Sequence, residues 1–182
     1  MDSPTWRRAL VLGGIRSGKS ELAEELVLGR TGAMPLYVAT ARRLPDDPGW
    51  NARLDAHRAR RGDGWSTVEV GEDPSALPAL LRGAAPTDVL LVDDLGTWLG
   101  AVMDVTPDGL SSVAAELSAA VRACLATLVL VSPEVGLSLV PANEAARRFA
   151  DGLGLTNRAV AAACDAVVLV IAGNAVPVKG GL

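Results

Sequence analysis

Six short apolar runs punctuate the chain: ALVLGG at 9–14, LYVAT at 36–40, STVEV at 66–70, VLLVD at 89–93, LVLVS at 128–132 and VVLVI at 167–171. Most are apolar throughout instead of alternating, the pattern of parallel strands covered on both faces. STVEV alternates, which suits an edge strand. Between the runs lie stretches with helical spacing, among them Ser20–Leu28, Asn51–Arg61, Leu110–Ala126 and Asn143–Ala163. Strand and helix in turn predict an α/β fold, a mostly parallel sheet with helices on both faces. The closing VPVK could add a short strand whose pairing Pro177 limits. Arg42–Trp50 and Gly71–Pro78 read as loops by their Pro, Gly and Asp, and the first is long enough for a mobile active-site segment. No repeat or long linker divides the chain, so residues 1–182 read as one domain.

Composition adds a core poor in aromatics. Hydrophobic residues make up 49% of the 182 and aromatics only 3%, so Leu, Val and Ala must fill the interior. The net charge of -4 argues against broad nucleic-acid binding, which needs a basic surface. Basic residues must therefore be read locally. Lysine occurs only at 19 and 179, arginine supplying the rest of the 17 basic residues, so each lysine draws attention. Cys124 and Cys164 have neither metal spacing nor a disulfide framework around them and read as buried helix or helix-end positions. Arg7 and Arg8 before ALVL outline the start of a signal peptide, but Gly13 and Gly14 end the apolar run too soon. No segment reaches the about 18 apolar residues of a membrane span. A cytoplasmic enzyme is the expectation.

The sharpest chemical feature is Gly13-Gly14-Ile15-Arg16-Ser17-Gly18-Lys19-Ser20, which matches G-x-x-x-x-G-K-[ST]. It follows an apolar run and opens a helical one, the context a phosphate-binding loop requires. Glycines let backbone N–H groups turn inward around phosphates, and a helix N-terminus adds positive potential. Lys19 would neutralise the β and γ oxygens of a triphosphate, and the Ser20 hydroxyl would ligate Mg²⁺. Such a site also needs a carboxylate at the end of another strand. Asp93 ends VLLVD, and Asp94 follows. An acid after a strand is commonly just a helix cap. Beside a phosphate loop, Asp93 is favoured as the metal-site acid and Asp94 as the cap.

The single histidine, His57, lies in ARLDAHRARR. At helical spacing Arg53, His57 and Arg61 share a face, with Arg58 and Arg60 alongside. Residue chemistry alone favours a solvated basic helix. The sharper possibility is that a neutral imidazole attacks an α-phosphorus and carries a nucleotidyl group as a phosphoramidate. Neighbouring cations, Arg58 and Arg61 among them, would disfavour imidazolium and hold the triphosphate.

Taken together these residues resemble the bifunctional adenosylcobinamide kinase/adenosylcobinamide-phosphate guanylyltransferase family of cobalamin biosynthesis. The resemblance runs through LVLGGIRSGKS, YVATA at 37–41, ARLDAHRARR, the W-x-T-x-E of Trp65 to Glu69, and VLLVDDLGTWL. It continues through EVGLSLVP at 134–141 and ARRFADGLGLTNRAVAAACDAVVLVIAG. It implies a P-loop NTPase-like three-layer fold and two reactions. Adenosylcobinamide takes the γ-phosphate of ATP or GTP. GTP then passes GMP through an enzyme histidine to adenosylcobinamide phosphate. The resemblance puts that histidine at His57, nucleotide contacts at 13–20 and Glu69, and the metal-site acid at Asp93. It also draws Glu134 toward the site and implies a homo-oligomer. Arg147, Arg148 and Arg158 stay open between a solvated face and contacts to phosphate or a neighbouring subunit. The chain departs from the family at Gly49 and Trp50 (commonly Glu-Met), Gly62 (Pro), Asp94 (Cys), Gly96 (Thr) and Pro133 (Asn). Two other classes stand beside this reading: a kinase without guanylyl transfer, and a non-catalytic nucleotide switch.

Overall fold

Seven strands form one sheet in the order β3-β2-β4-β5-β1-β6-β7. In chain order they are β1 (Arg8–Gly13), β2 (Leu36–Ala39), β3 (Ser66–Glu69), β4 (Val89–Asp93), β5 (Thr127–Pro133), β6 (Ala166–Ile171) and β7 (Asn174–Lys179). The helices are α1 (Lys19–Leu28), α2 (Pro48–Arg61), α3 (Ala76–Gly83), α4 (Leu95–Val105), α5 (Leu110–Ala123) and α6 (Glu144–Ala163). The computed structural model describes residues 6–30, 34–106, 109–138 and 141–182, without the side chains of Arg60 and Arg61. The first six strands are parallel, and only β7 runs antiparallel, against β6.

Strand parity sorts the core into two layers. Leu10, Val38, Leu90, Val92, Leu128, Leu130 and Val167 face one side, packed under α3, α4, α5 and α6. Ala9, Val11, Tyr37, Leu91, Val129, Val131, Val168 and Val170 face the other, where Ala23 and Val27 of α1 cover them with Trp6 and Trp65. The continuous apolar runs of the inner strands follow from this double burial. The expected three layers are present but unequal, four helices on one face and α1 on the other. Helix α2 contributes no side chain to either core cluster.

The alternating STVEV is the edge strand β3, mostly exposed, as its pattern indicates. VPVK lies in β7, the opposite edge, where Pro177 sits beside a register irregularity at Val167 and Val168, a tolerated place for a residue without N–H. The Gly71–Pro78 loop is shorter than its composition indicates. Helix α3 begins at Ala76 and buries Leu77, Pro78 and Leu81. Proline is compatible with a first helical turn, where no N–H bond exists to lose. Helix α5 ends at Ala123, three residues short of the expected Ala126, because Thr127 already pairs in β5. Cys124 and Cys164 cap α5 and α6 and are buried. Burial pushes the Cys164 thiol up to about 12, with Asp165 beside it adding to the shift, so it is chemically inert.

Asp165 ties the sheet to its first strand. Its carboxylate accepts hydrogen bonds from Arg7 N (3.0 Å) and Arg8 N (2.9 Å) and pairs with the Arg8 guanidinium at 3.2 Å. Partial burial works against the charge, but the Arg8 and Arg7 amides and the Arg8 side chain outweigh it and hold this carboxyl below its ordinary value. A depressed carboxylate stabilises the fold above its unfolded pKa and loses that effect as pH falls through the lower folded value. Asp165→Ala should therefore lower unfolding free energy at pH 7 by about 1 kcal/mol, discounted for partial exposure. The gap to wild type should close below about pH 4, as read by urea unfolding across pH.

Candidate active site

The phosphate loop occupies the turn from β1 into α1, at the C-terminal edge of the parallel strands where α/β sheets bind ligands. Backbone geometry dictates its glycines. A Cβ at Gly13 would lie 2.4 Å from Ser17 Oγ and 3.0 Å from the Val170 carbonyl. Gly18 caps α1 with φ +94, in the left-handed region that glycine enters without strain. Gly173 N, in the turn between β6 and β7, donates to Ser17 O at 2.9 Å and braces the loop from outside. Lys19 Nζ donates to Gly14 O at 3.4 Å, and the buried Ser17 Oγ has no hydrogen-bond partner among the described residues.

Asp93 reaches the site by strand parity. It stands two residues after Leu91, which faces α1, so its side chain points to the same face and meets the start of that helix. Tyr37 Oη donates to Asp93 Oδ2 at 2.7 Å. Burial pushes the Asp93 carboxyl above its ordinary value and Asp94 adds to the shift. The Tyr37 hydrogen bond acts the other way, as do His57 and Lys19 nearby. The Asp93–Asp94 peptide bond is cis. Asp94 caps α4, accepting from Thr97 N at 2.8 Å. Thr40 Oγ1 donates to Asp94 O at 2.7 Å and lies 2.6 Å from Thr97 Oγ1, closing a buried polar junction under the site.

Helix α2 forms the opposite wall. Asp47 caps it by accepting from Trp50 N at 2.8 Å, with Pro48 in its first turn. The preceding loop is pinned to it. Trp50 Nε1 donates to Arg42 O at 2.9 Å, and the Asn51 side-chain amide bonds Leu44 at both its carbonyl (2.7 Å) and its N–H (3.1 Å). The loop expected to be mobile is thus held by side-chain bonds at both ends. His57 is exposed on this helix. Arg58 pairs with Glu69, at the end of β3, at 3.7 Å.

A cleft of about 640 Å³ joins the two walls. Ile15, Arg16, Ser17, Gly18, Lys19 and Ser20 line one side; Arg53, His57, Arg58 and Glu69 line the other, with Asp93 between them. Gly13 and Gly14 are not part of the lining, and the Arg61 side chain is outside the described residues. Glu134 is not part of the lining. Its N–H donates to Gly13 O at 3.0 Å, while its carboxylate turns back to Gly136 N at 2.7 Å. Arg147 bonds the carbonyls of Pro141 and Ala142 at the start of α6, away from the cleft.

Arg42, Arg43 and Trp50, from the loop read as an active-site segment, also line the cleft, as do Tyr37 and Thr97, which sequence reasoning passed over. Only Tyr37 carried a signal: it is the one tyrosine, in a strand buried on both faces, and a buried phenol must find a polar partner.

Two family departures prove to be neighbours. A Cβ at Gly96 would lie 2.8 Å from Pro133 Cγ, so the proline ring fills the space that a side chain at 96 would take. Gly96→Thr should destabilise the protein by about 2 kcal/mol through overpacking. Adding Pro133→Asn should restore most of that loss, as measured by thermal unfolding of the single and double variants.

The family described as cobinamide kinase / cobinamide phosphate guanyltransferase matches residues 9–178. The bifunctional adenosylcobalamin biosynthesis protein CobP of Pseudomonas aeruginosa is 39% identical, the match covering 95% of this chain and 98% of that protein. The bifunctional adenosylcobalamin biosynthesis proteins CobU of Salmonella typhimurium and Escherichia coli are 36% and 35% identical, each match covering 93% of this chain and 98% of theirs.

Proposed function

The chain belongs to the cobinamide kinase / cobinamide phosphate guanyltransferase family, and from that premise we propose that one cleft performs both of the family's transfers. The observation that carries this reading is that the phosphate loop and His57 line the same cavity. In the first transfer, the hydroxyl oxygen of adenosylcobinamide attacks the γ-phosphorus of ATP or GTP. The bond from that phosphorus to the β-bridging oxygen breaks, the nucleoside diphosphate leaves, and the hydroxyl proton is released. In the second, an imidazole nitrogen of His57 attacks the α-phosphorus of GTP and pyrophosphate leaves. A phosphate oxygen of adenosylcobinamide phosphate then attacks the same phosphorus. The P–N bond breaks, returning its electron pair to the imidazole and giving adenosyl-GDP-cobinamide.

Each residue has a physical task. The N–H groups of residues 13–20 and the N-terminus of α1 cradle the phosphates. Lys19 neutralises the oxygens that gain charge in either transfer. Arg58, held by Glu69, and Arg61 grip the triphosphate from the α2 side. His57 stands on a helix without core contacts, so it can approach a phosphorus without disturbing the fold. The donor set fits Mg²⁺: the Ser20 hydroxyl and Asp93 carboxylate are hard oxygens lining the cleft. No group of three or more His, Cys, Asp or Glu able to hold a metal occurs among the described residues, so triphosphate oxygens would complete the shell. When bound, Mg²⁺ supplies charge neutralisation across the phosphates.

Residues 1–182 act as one catalytic unit in this reading, and the enzyme is a cytoplasmic homo-oligomer. Among the described residues no helix is long and apolar enough to cross a membrane. The test is product analysis. With ATP alone, adenosylcobinamide should stop at the phosphate. With GTP it should proceed to the GDP derivative with release of pyrophosphate. Phosphorylation that never proceeds with GTP would leave a kinase only, and no turnover of any corrinoid would leave a nucleotide switch.

A further inference from the structure

Tyr37 has a place in this cleft that the two transfers do not explain. It begins as a core residue: its side chain is 4% exposed in the layer under α1, and Trp65 meets its ring edge-on at 6.0 Å and 89°. In the β2–β4 register Tyr37 pairs with Leu91 and Ala39 with Asp93. The phenol therefore runs along the sheet toward the C-terminal edge to meet a carboxylate two pairs farther on, the next on the same face. It donates to Asp93 Oδ2 at 2.7 Å, while Asp93 Oδ1 accepts no hydrogen bond among the described residues. A packed ring with a fixed hydroxyl is a stiff anchor, because neither the ring nor its partner strand can shift without disturbing the core.

We propose that Tyr37 is a positioning residue for the metal–nucleotide complex: by occupying Oδ2 it holds the Asp93 carboxylate in one orientation and presents only Oδ1 to the cleft. This rests on Asp93 being the metal-site acid. The effect belongs to orientation, since the phenol acts through the Asp93 carboxylate. Outer partners of metal-site ligands act in this way, and their loss lowers metal affinity by about 10–100-fold.

Tyr37→Phe keeps the ring and removes the hydroxyl. The readout is the affinity of a fluorescent GTP analogue, measured in EDTA and across a Mg²⁺ titration. Wild type should bind more tightly with Mg²⁺. Tyr37→Phe should keep its affinity in EDTA, and its half-saturating Mg²⁺ concentration should rise by about tenfold. The double variant Tyr37→Phe/Asp93→Asn should match Asp93→Asn alone, because the phenol acts only through that carboxylate. An unchanged Mg²⁺ titration would overturn the proposal. So would an equal loss with and without Mg²⁺, the mark of a purely structural role. If Asp93→Asn itself left the Mg²⁺ response intact, the underlying assignment of Asp93 would fall, and the proposal with it. A GTP analogue that failed to bind wild type at all would instead remove the phosphate-loop reading.

Discussion

His57→Ala should abolish guanylyl transfer, by about 10⁴-fold or more, and leave phosphorylation of adenosylcobinamide within about threefold of wild type. The asymmetry follows from where the residue stands. His57 is exposed on α2, and α2 gives no side chain to either core cluster. Alanine is the best helix former, so the substitution leaves the helix and the fold in place. The loss is then chemical: without the imidazole no nitrogen is poised to take the α-phosphorus. The kinase step does not use that nitrogen, because the corrinoid hydroxyl is its nucleophile. Separate assays of nucleoside diphosphate and pyrophosphate release measure the split. Equal loss of both activities would mean that His57 supports the shape of the cleft and is not the carrier.

Lys19→Ala should remove both activities together, each by about 10²–10³-fold. Negative charge builds on the leaving nucleoside diphosphate in one transfer and on leaving pyrophosphate in the other. Both lie over the same loop if a single triphosphate site serves both. Lys19 is partly exposed and, among the described residues, its Nζ bonds only Gly14 O, at 3.4 Å, so its removal disturbs no core contact. The informative comparison is the rate of GMP loading onto His57 in this variant. Full loading beside a dead kinase would require a second triphosphate site away from the phosphate loop.

Much of this architecture is legible in the sequence. The phosphate loop is a local motif whose strand and helix are its immediate neighbours, so its placement needed no long-range information. That Asp94 caps α4 was readable from its place after the strand, and Asp93, two residues after Leu91, lies on the α1 side and lines the cleft. The basic helix is a harder case. Its spacing reads as a solvated face, and α2 is indeed solvated. That His57 also overlooks the phosphate loop depends on β2 and β3 lying on the far side of β4, a pairing that no local pattern encodes. Tyr37 illustrates the same limit, since its partner is 56 residues away. Helix α3 was obscured for another reason. Pro78 reads as a loop residue, yet in a first turn it is compatible with the helix that buries it. The contact of Gly96 with Pro133 is visible only in space, where two departures become one exchange of volume.

The central claim is that one cleft performs two transfers by way of a covalent intermediate on His57. Its most direct test is the mass of the intact protein after incubation with GTP and Mg²⁺, followed by peptide mapping. The account predicts one GMP adduct per chain, on the peptide carrying His57, stable to base, labile to acid and discharged by adenosylcobinamide phosphate. A GMP adduct on any other residue, or formation of the GDP product with no adduct at any time point, would contradict it.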